Sequence, residues 1–308
     1  MTPRVAYAGE PGAFAEDATI AYFGDAPGVP VPGFRDVFEA VSGGCLPGDP
    51  AGGDPIVAGV VPIENLVNGT VRENYDLLLE HDLVIVGEVV VPVRLCVAAL
   101  PGETLDSVER VYSHIQALGQ AERFLRRRPW SLLTTYNTAG AAKLIADRGE
   151  RRAAALLSPR AASLFGLVVL AGDVQDVPDN RTRFLVVAKP DTAVEPGPHT
   201  GAATSIPAGR GPDAVPVTAV NGTRTTLVMA VRNEPGALLR CLEVFAAAGI
   251  NMSKLESRPS RDRAWEYVFW VDLDTDATSA TAGDAIDRLA AVAASVRVLG
   301  SYPKAAQG

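Results

Sequence analysis

Several short segments place polar and charged side chains where an apolar strand is predicted to end or begin. They offer hydroxyl, amide, carboxylate and guanidinium groups, and most of them open a predicted helix. The segments are Val60–Asn65, Gly69–Val71, Ser113–Leu118, Tyr136–Ala139 and Asp179–Phe184. Helix N-termini that gather at strand ends form anion-binding sites in α/β proteins. The pattern alone therefore predicts a cleft that binds a small anion.

Each segment also has a purely structural interpretation. Asn137 and Ser113 precede predicted helices, where Asn and Ser are ordinary N-caps. Glu64-Asn65 is compatible with a simple turn, and Arg183 with a surface charge. The residue types and their spacing leave these alternatives open.

The sequence lacks the common signatures of cofactor and metal enzymes. GxGxxG, GxxxxGK[ST], GxSxG and HExxH are all absent, and the three cysteines show no ligand spacing. Of the three histidines, His199 lies in a proline-rich stretch and His81 in a polar pair. A hydrolase triad would need His114, and no nucleophile context supports one. We therefore predict no organic cofactor and no metal.

The composition and the N-terminal sequence limit the kinds of partner and the cellular compartment that we expect for this protein. The 308 residues are 47% hydrophobic and 21% charged, with a formal net charge of −8. This acidic balance argues against nucleic acid or an anionic membrane as a partner. No apolar run approaches the roughly 20 residues of a membrane span. The N-terminus runs directly into a strand-like segment without a signal peptide, so we expect a cytoplasmic protein.

Short apolar strands alternate with amphipathic helices before the proline-rich stretch, which predicts an α/β fold with two lobes and a cleft. The strands are predicted at Val5–Ala8, Ile56–Val61, Val84–Val91, Arg94–Ala99, Arg110–Tyr112, Ala153–Leu157 and Phe184–Ala188. The helices are predicted near Ala13–Tyr22, Phe34–Val41, Val71–Leu79, Ala117–Arg127, Thr138–Asp147 and Pro159–Phe165.

A linker and a second domain are predicted after these elements. Pro190–Pro216 contains six prolines and no helical or strand period. The chain beyond it alternates strands and helices in the order βαββαβ, which is ferredoxin-like. Its clearest strand signal is the apolar alternation of Trp265–Leu273.

The motifs together resemble the prephenate dehydratase family over nearly the whole chain. Glycine-rich Tyr7–Phe14, Pro62–Val71, Ser113–Leu118 and Thr182-Arg183-Phe184 resemble its YxGxxGxF, PIENxxxGxV, SHPQAL and TRF motifs. Ile115 stands where that family usually has proline. Gly236–Leu239 and Glu256–Pro259 resemble the GALL and ESRP motifs of the C-terminal ACT domain.

This resemblance implies a fold and its boundaries. A type II periplasmic-binding-protein-like catalytic domain is expected over 1–189, a flexible linker over 190–224 and a βαββαβ ACT domain over 225–303. The lobes are expected at about 1–79 with 178–189, and at 80–177. The chain would cross between them near Leu79–Leu83 and return near Val177–Arg183.

The resemblance also implies the chemistry, in which prephenate loses CO2 and its hydroxyl to give phenylpyruvate and water. Thr182 is then the catalytic residue that hydrogen-bonds the leaving hydroxyl. Glu64 is a candidate proton donor, provided that burial favours its neutral form, and His114 is a second. Asn65 and Gln116 would orient the substrate. The expected substrate-binding residues are Arg183, Thr70, Ser113, Asn137, Thr138 and Phe184, with Phe184 packing beneath the site.

For the ACT domain, the resemblance implies feedback inhibition by L-phenylalanine in the biosynthesis of that amino acid. The expected binding residues are Gly236, Ala237, Leu238, Leu239, Asn251, Glu256, Ser257, Arg258 and Pro259. ACT domains pair edge to edge, so a homodimer or homotetramer is expected.

Two other functions remain open at this point. An arogenate dehydratase would share the fold and motifs and act on the transaminated substrate. A non-catalytic amino-acid-binding regulator would use the two-lobed fold as a receptor. The intact Thr182-Arg183-Phe184 and Glu64-Asn65 segments favour an enzyme.

Overall fold

A computed structural model describes residues 2–24, 26–50, 53–190, 192, 194, 219–260 and 267–305. The chain divides into two compact units. Unit 1 comprises Met1–Asp82 and Val89–Thr218, and unit 2 comprises Leu83–Glu88 and Ala219–Gly308. Most of the predicted linker, with His199, and also Trp265 lie outside the described residues. In the described ranges, no helix is long and apolar enough to cross a membrane.

Strands and helices alternate through the first 190 residues, as predicted. The strands are β1 (Arg4–Ala8), β2 (Gly28–Val31), β3 (Ile56–Asn65), β4 (Gly69–Thr70), β5 (Val84–Pro92), β6 (Cys96–Ala99), β7 (Arg110–Ser113), β8 (Ser131–Thr134), β9 (Ala153–Leu157), β10 (Val168–Ala171) and β11 (Arg181–Ala188). The helices are α1 (Phe14–Phe23), α2 (Phe34–Gly43), α3 (Arg72–Glu80), α4 (Ile115–Gln120), α5 (Glu122–Leu125), α6 (Thr138–Arg148) and α7 (Pro159–Leu164).

The first lobe is built on a mixed sheet in the order β2-β1-β3-β11-β5, with β4 paired to β3. The pairs β1–β2 and β1–β3 are parallel, whereas β11 runs antiparallel to β3. Helix α2 buries Val37 and Phe38 completely. A Cβ at Gly59 of β3 would lie 2.5 Å from Val37 Cγ1, so glycine is required for this close helix–sheet packing.

The second lobe is built on a sheet in the order β10-β6-β9-β7-β8. Its central strand β9 has the sequence Ala-Ala-Ala-Leu-Leu and is buried throughout. Alanines of helix α6 pack against it in one apolar cluster with Cys96 and Ile145. Small side chains on both elements let helix and sheet approach closely, which is why this core is rich in alanine.

Four short strands of unit 1 were not predicted from the sequence, one of which is the two-residue strand β4 that pairs with β3. β2 and β8 are edge strands of their sheets, and β10 is the opposite edge of the second sheet. β2 contains Gly and Pro, and all four residues of β8 are exposed. Edge strands of this kind lack the apolar alternation by which strands are recognised.

Two predictions about the second lobe are wrong. The chain was expected to cross between lobes near Leu79–Leu83, but β5 belongs to the first sheet, so the crossing follows Pro92. The segment Ala117–Arg127, predicted as one helix, forms the short helices α4 and α5. The helix breaks at Ala121, whose φ and ψ of −120° and 24° leave the helical range.

Unit 2 contains the predicted βαββαβ fold. Its elements are β12 (Ala219–Ala230), α8 (Ala237–Ala247), β13 (Met252–Pro259), β14 (Tyr267–Leu273), α9 (Ala280–Val292) and β15 (Ser295–Ala305). The antiparallel sheet has the order β13-β14-β12-β15, and both helices pack on one apolar face with Leu227, Phe245 and Leu289. Because β12 begins at Ala219, the linker prediction of 190–224 extends too far.

The segment Leu83–Glu88 belongs to unit 2 and is held there by a buried ion pair. Arg224 Nη1 lies 2.8 and 2.6 Å from the two carboxylate oxygens of Glu88, and the side chains are 7% and 2% exposed. The backbone N–H of Ala305 also donates to Glu88 Oε1. A Cβ at Gly300 would lie 2.0 Å from the carbonyl oxygen of Ile85, so the segment lies directly against β15.

Arg224→Met should lower the free energy of unfolding by about 3–5 kcal/mol, because it leaves the Glu88 carboxylate buried without its cation. Arg240→Met is the matched control, since it removes the Arg240–Glu234 pair, whose side chains are 46% and 49% exposed. The free energy of unfolding of Arg240→Met should fall by only about 0–1 kcal/mol. Chemical denaturation of the full chain measures both, and equal losses would contradict a stabilising role for the buried pair.

Candidate functional site

The antiparallel pairing of β3 with β11 brings two of the predicted motifs together. Thr182 lies opposite Asn65, and Arg183 lies opposite Glu64. The register shifts between Arg183 and Phe184, where β3 contributes one residue more than β11. On the other side of β3, Glu64 lies opposite Thr70 of β4. Residues more than 110 positions apart in the chain thus become direct neighbours.

Asn65 is the hub of this cluster. Its Oδ1 accepts hydrogen bonds from the backbone N–H groups of Val67 and Asn68, at 3.0 and 2.9 Å. Its Nδ2 donates to Thr182 Oγ1 and to Asn180 Oδ1, both at 2.9 Å. Asn65 and Thr182 are 8% and 9% exposed. The turn interpretation of this segment is confirmed, and the same amide also donates to Thr182, while the role of Asn65 towards a substrate stays a prediction.

Glu64 and Arg183 form an ion pair beside that hub. Arg183 Nη2 lies 3.4 Å from Glu64 Oε2, and the two side chains are 14% and 38% exposed. Arg183 is therefore not a surface charge. Glu64 is half-buried, and its role as a proton donor stays a prediction.

The second lobe contributes the segment around α4, and here the side chains differ from the prediction. Ser113, expected to bind substrate, is fully buried, and its hydroxyl donates to the carbonyl of Leu156. The N-cap of α4 is His114, whose Nδ1 accepts from the Gln116 N–H at 3.3 Å. The side chain of Gln116 is exposed. Helix α4 starts at Ile115, so proline is not needed there to begin the helix.

Gln120, one helical turn after Gln116, is the residue of α4 that reaches the hub. It is 9% exposed, and its Nε2 lies 3.4 Å from Asn65 Oδ1. Gln120 was not predicted, because the sequence motif points to Gln116 at the helix start. The available signal was a second glutamine four residues on, and therefore on the same helix face.

Asn137 caps helix α6, as the structural interpretation of this residue allowed. Its Oδ1 accepts from the Gly140 N–H at 2.6 Å, and Thr138 is the first residue of the helix. A Cβ at Gly9 would lie 3.6 Å from Asn137 Nδ2, so the first lobe approaches this helix start. Phe184 is 2% exposed and belongs to the core, which leaves it no surface for substrate.

The glycine-rich segment after β1 joins the two lobes. Glu10 accepts from Tyr136 Oη at 2.9 Å and from Lys143 Nζ at 3.0 Å. Burial and this hydrogen bond raise the pKa of Tyr136, and the bond to Glu10 raises the pKa of Lys143. Gly12 has φ +89°, and a Cβ there would lie 2.8 Å from Ala161 of α7. Close approach of the lobes therefore requires glycine at this position.

Arg160 adds a second link between the lobes. Its Nη1 donates to Glu16 at 2.5 Å and to Asp17 at 3.0 Å, both on α1. Ser158 of the second lobe donates to the carbonyl of Gly12 at 3.1 Å.

The described residues contain no group of three or more His, Cys, Asp or Glu side chains arranged to hold a metal ion.

The predicted ligand residues of unit 2 lie on different surfaces of that unit. Gly236 is the N-cap of α8 and has φ +76°. Glu256 and Arg258 lie opposite Trp270 and Val268, whereas Ser257 lies opposite Phe269 on the helix-covered face. Asn251 donates to Asp274. Leu238 is half-buried, and Ala237 is buried, while Leu239 and Pro259 are exposed.

His114 should be neutral at physiological pH, because burial lowers its pKa below the ordinary 6.5. The unfolded chain then binds a proton more readily, so this group's contribution to stability falls as the pH drops below 6.5 towards the folded-state pKa. NMR titration of the imidazole in the folded chain measures its pKa. The variant His114→Asn identifies the His114 resonance, and its asparagine retains a side chain that can cap the helix. A midpoint at or above 6.5 would contradict the prediction.

Comparisons with known families and structures agree with this geometry. The family model for prephenate dehydratase matches residues 5–192, and that for the ACT domain matches residues 225–291. A chloroplastic arogenate dehydratase/prephenate dehydratase 2 of Arabidopsis thaliana is 37% identical over 97% of this chain and 72% of its own length. A bifunctional chorismate mutase/prephenate dehydratase of Aquifex aeolicus is 36% identical over 98% and 74%.

Solved structures extend the likeness over both units. The prephenate dehydratase of Arthrobacter aurescens in complex with L-Phe has a TM-score of 0.77 and 29% identity, covering 97% of this chain and 89% of that one. A protein described as a novel type of quorum-quenching acylase has a TM-score of 0.78 and 28% identity, covering 98% of both. With the family model spanning 5–192 and the Thr182-Arg183-Phe184 motif paired to Glu64-Asn65, the chain belongs to the prephenate dehydratase family and carries a C-terminal ACT domain.

Proposed function

We propose that this chain converts prephenate to phenylpyruvate, CO2 and water, and that Thr182 acts on the leaving hydroxyl. The supporting observation is the strand pairing that sets Thr182 opposite Asn65 and Arg183 opposite Glu64. Loss of CO2 leaves its bonding electrons in the ring, and departure of the hydroxyl with one proton completes the aromatic ring. Aromatisation drives the reaction, so the protein has to bind a dianion and assist the hydroxyl.

The hydrogen-bond pattern favours Thr182 as a donor. Its Oγ1 already accepts a hydrogen bond from Asn65 Nδ2, and no acceptor for the hydroxyl proton of Thr182 lies among the described residues. The hydroxyl proton is therefore available to the departing oxygen of the substrate. A threonine hydroxyl is too weak an acid to give up its proton alone, so donation or relay is the appropriate role.

Arg183 is the strongest candidate to hold a substrate carboxylate. A guanidinium matches a carboxylate in planar geometry and keeps its charge at any physiological pH. Arg183 is 14% exposed, which reduces screening by solvent. The N-terminal amides of α6 at Thr138 are the candidate holder of the second carboxylate.

Thr182→Ala should lower kcat by roughly 10²–10³-fold, the usual effect of removing one preorganised donor. Thr182→Ser keeps the hydroxyl and should retain most of the activity. Phenylpyruvate formation from prephenate by the purified variants measures this, and denaturation curves verify that each is folded. Unchanged turnover in folded Thr182→Ala would remove Thr182 from the chemistry.

Regulation by L-phenylalanine through unit 2 is part of the same proposal, as is assembly into dimers or tetramers through the ACT domains. The complex of the Arthrobacter relative with L-Phe supports L-phenylalanine as the ligand. Gly236 adopts φ +76° at the start of α8, and the backbone N–H groups of a helix start are suited to an amino-acid carboxylate. We also propose the cytoplasm as location, 1–189 as the catalytic domain and 219–303 as the regulatory domain.

Gly236→Ala should weaken L-phenylalanine binding several-fold, because a Cβ disfavours the left-handed backbone by about 1–2 kcal/mol and turns the helix-start amides away. Gly283→Ala is the matched control in the same unit, since a Cβ there meets its nearest atom at 3.8 Å. Isothermal titration calorimetry measures both. Absence of phenylalanine binding in the unaltered chain would rule out L-phenylalanine as the effector. Equal affinities of Gly236→Ala and Gly283→Ala for L-phenylalanine would rule out a binding role for Gly236.

Arogenate remains the second candidate substrate, because relatives in Arabidopsis and Petunia hybrida carry that name. Arogenate differs from prephenate only in bearing an amine in place of the side-chain ketone. The cluster around Asn65 and Thr182 serves the ring hydroxyl, which both substrates share. Discrimination must therefore come from groups near the side chain.

A further inference from the structure

Asn180, which lies outside the predicted site residues, is connected to Thr182 through Asn65. Asn180 directly precedes β11 and is 2% exposed. Its Oδ1 accepts from Asn65 Nδ2 at 2.9 Å, and the same Nδ2 donates to Thr182 Oγ1 at 2.9 Å. The Asn180 carbonyl accepts from the Val93 N–H at 2.7 Å, so its backbone is held in place as well.

The orientation of the Asn65 amide is fixed by the backbone. A backbone N–H can only donate, and those of Val67 and Asn68 both point to one end of this amide. That end must be the carboxamide oxygen. The NH2 end consequently faces Thr182 and Asn180, and the direction of each hydrogen bond in the chain follows from it.

The Asn65 NH2 group has two protons and three neighbouring acceptors. They are Thr182 Oγ1 and Asn180 Oδ1 at 2.9 Å, and the Arg181 carbonyl at 3.1 Å. With Asn180 Oδ1 taking one proton, the other is directed to Thr182. A hydroxyl oxygen that accepts in this direction donates its own proton in another.

We propose that Asn180 is a positioning residue for the dehydration. It holds the Asn65 amide so that Asn65 donates to Thr182 and Thr182 donates to the departing hydroxyl. This role rests on the proposed function of Thr182 and adds a residue that acts through it.

The other half of the Asn180 side chain supports this role. Its Nδ2 is buried and has no hydrogen-bond acceptor within the described ranges. Buried polar groups are normally paired, and an unpaired donor reduces stability. Stability alone would therefore favour a residue without that donor. The carboxamide oxygen, which Asn65 uses, is the part of Asn180 with a partner in the cluster.

A double-mutant cycle with Thr182→Ala tests the proposal. Asn180→Ala should lower kcat for prephenate by about 10- to 100-fold, as for residues that support metal ligands, with KM changed by less than about threefold. In the Thr182→Ala background the same change should cost less than about twofold, because residues that act as a unit are not additive. Asn180→Asp keeps an oxygen facing Asn65 and should recover part of the lost kcat.

Thr19→Val is the matched control for losing a buried hydrogen bond. Thr19 is 1% exposed, and its hydroxyl donates to the Ala15 carbonyl within α1. It should lose stability without losing kcat. If Asn180→Ala does not fold, Asn180→Asp and Asn180→Ser enter the same cycle. Equal losses in both backgrounds, or full kcat in Asn180→Ala, would overturn the role of Asn180, whereas an unaltered chain inactive on prephenate would overturn the proposed function itself.

Discussion

The structure depends most on the antiparallel pairing of β3 with β11 at the end of the first sheet. β11 comes from the last part of unit 1, yet it enters the sheet beside β3 and places Thr182 opposite Asn65. The register matters because a slip by one residue would turn each side chain to the other face of the sheet. The two backbone donors that hold Asn65 then determine which group donates and which accepts. The direction of the hydrogen bond from Asn65 to Thr182 is thereby set by main-chain geometry.

The links between the lobes combine charge pairs, glycine and apolar contacts, since Ala13 and Phe14 of the first lobe pack against apolar clusters of the second. Glu10 joins Tyr136 and Lys143, and Gly12 permits the close approach of α7. In unit 2, the buried Glu88–Arg224 ion pair holds the segment Leu83–Glu88 against the ACT fold.

The motif residues of the site were largely predictable, because Thr182, Arg183, Glu64 and Asn65 lie in contiguous segments with unusual polarity at strand ends. Their neighbours were not. Whether Gln116 or Gln120 faces the cluster depends on the entry angle of a six-residue helix, which local sequence does not determine. Edge strands and the position of the crossing after Pro92 were also missed, since both are settled by sheet pairing over long sequence separations. Asn180 lies within the polar segment Asp179–Phe184, but its link to Asn65, 115 positions away, could not be read from that segment.

The most direct test offers prephenate and arogenate separately to the purified chain and identifies the products. We expect phenylpyruvate from prephenate, with the rate of its formation falling on addition of L-phenylalanine. Formation of phenylalanine from arogenate with no turnover of prephenate would reassign the substrate while keeping the site. No product from either compound would contradict the assignment of Thr182 and its partners to a dehydration.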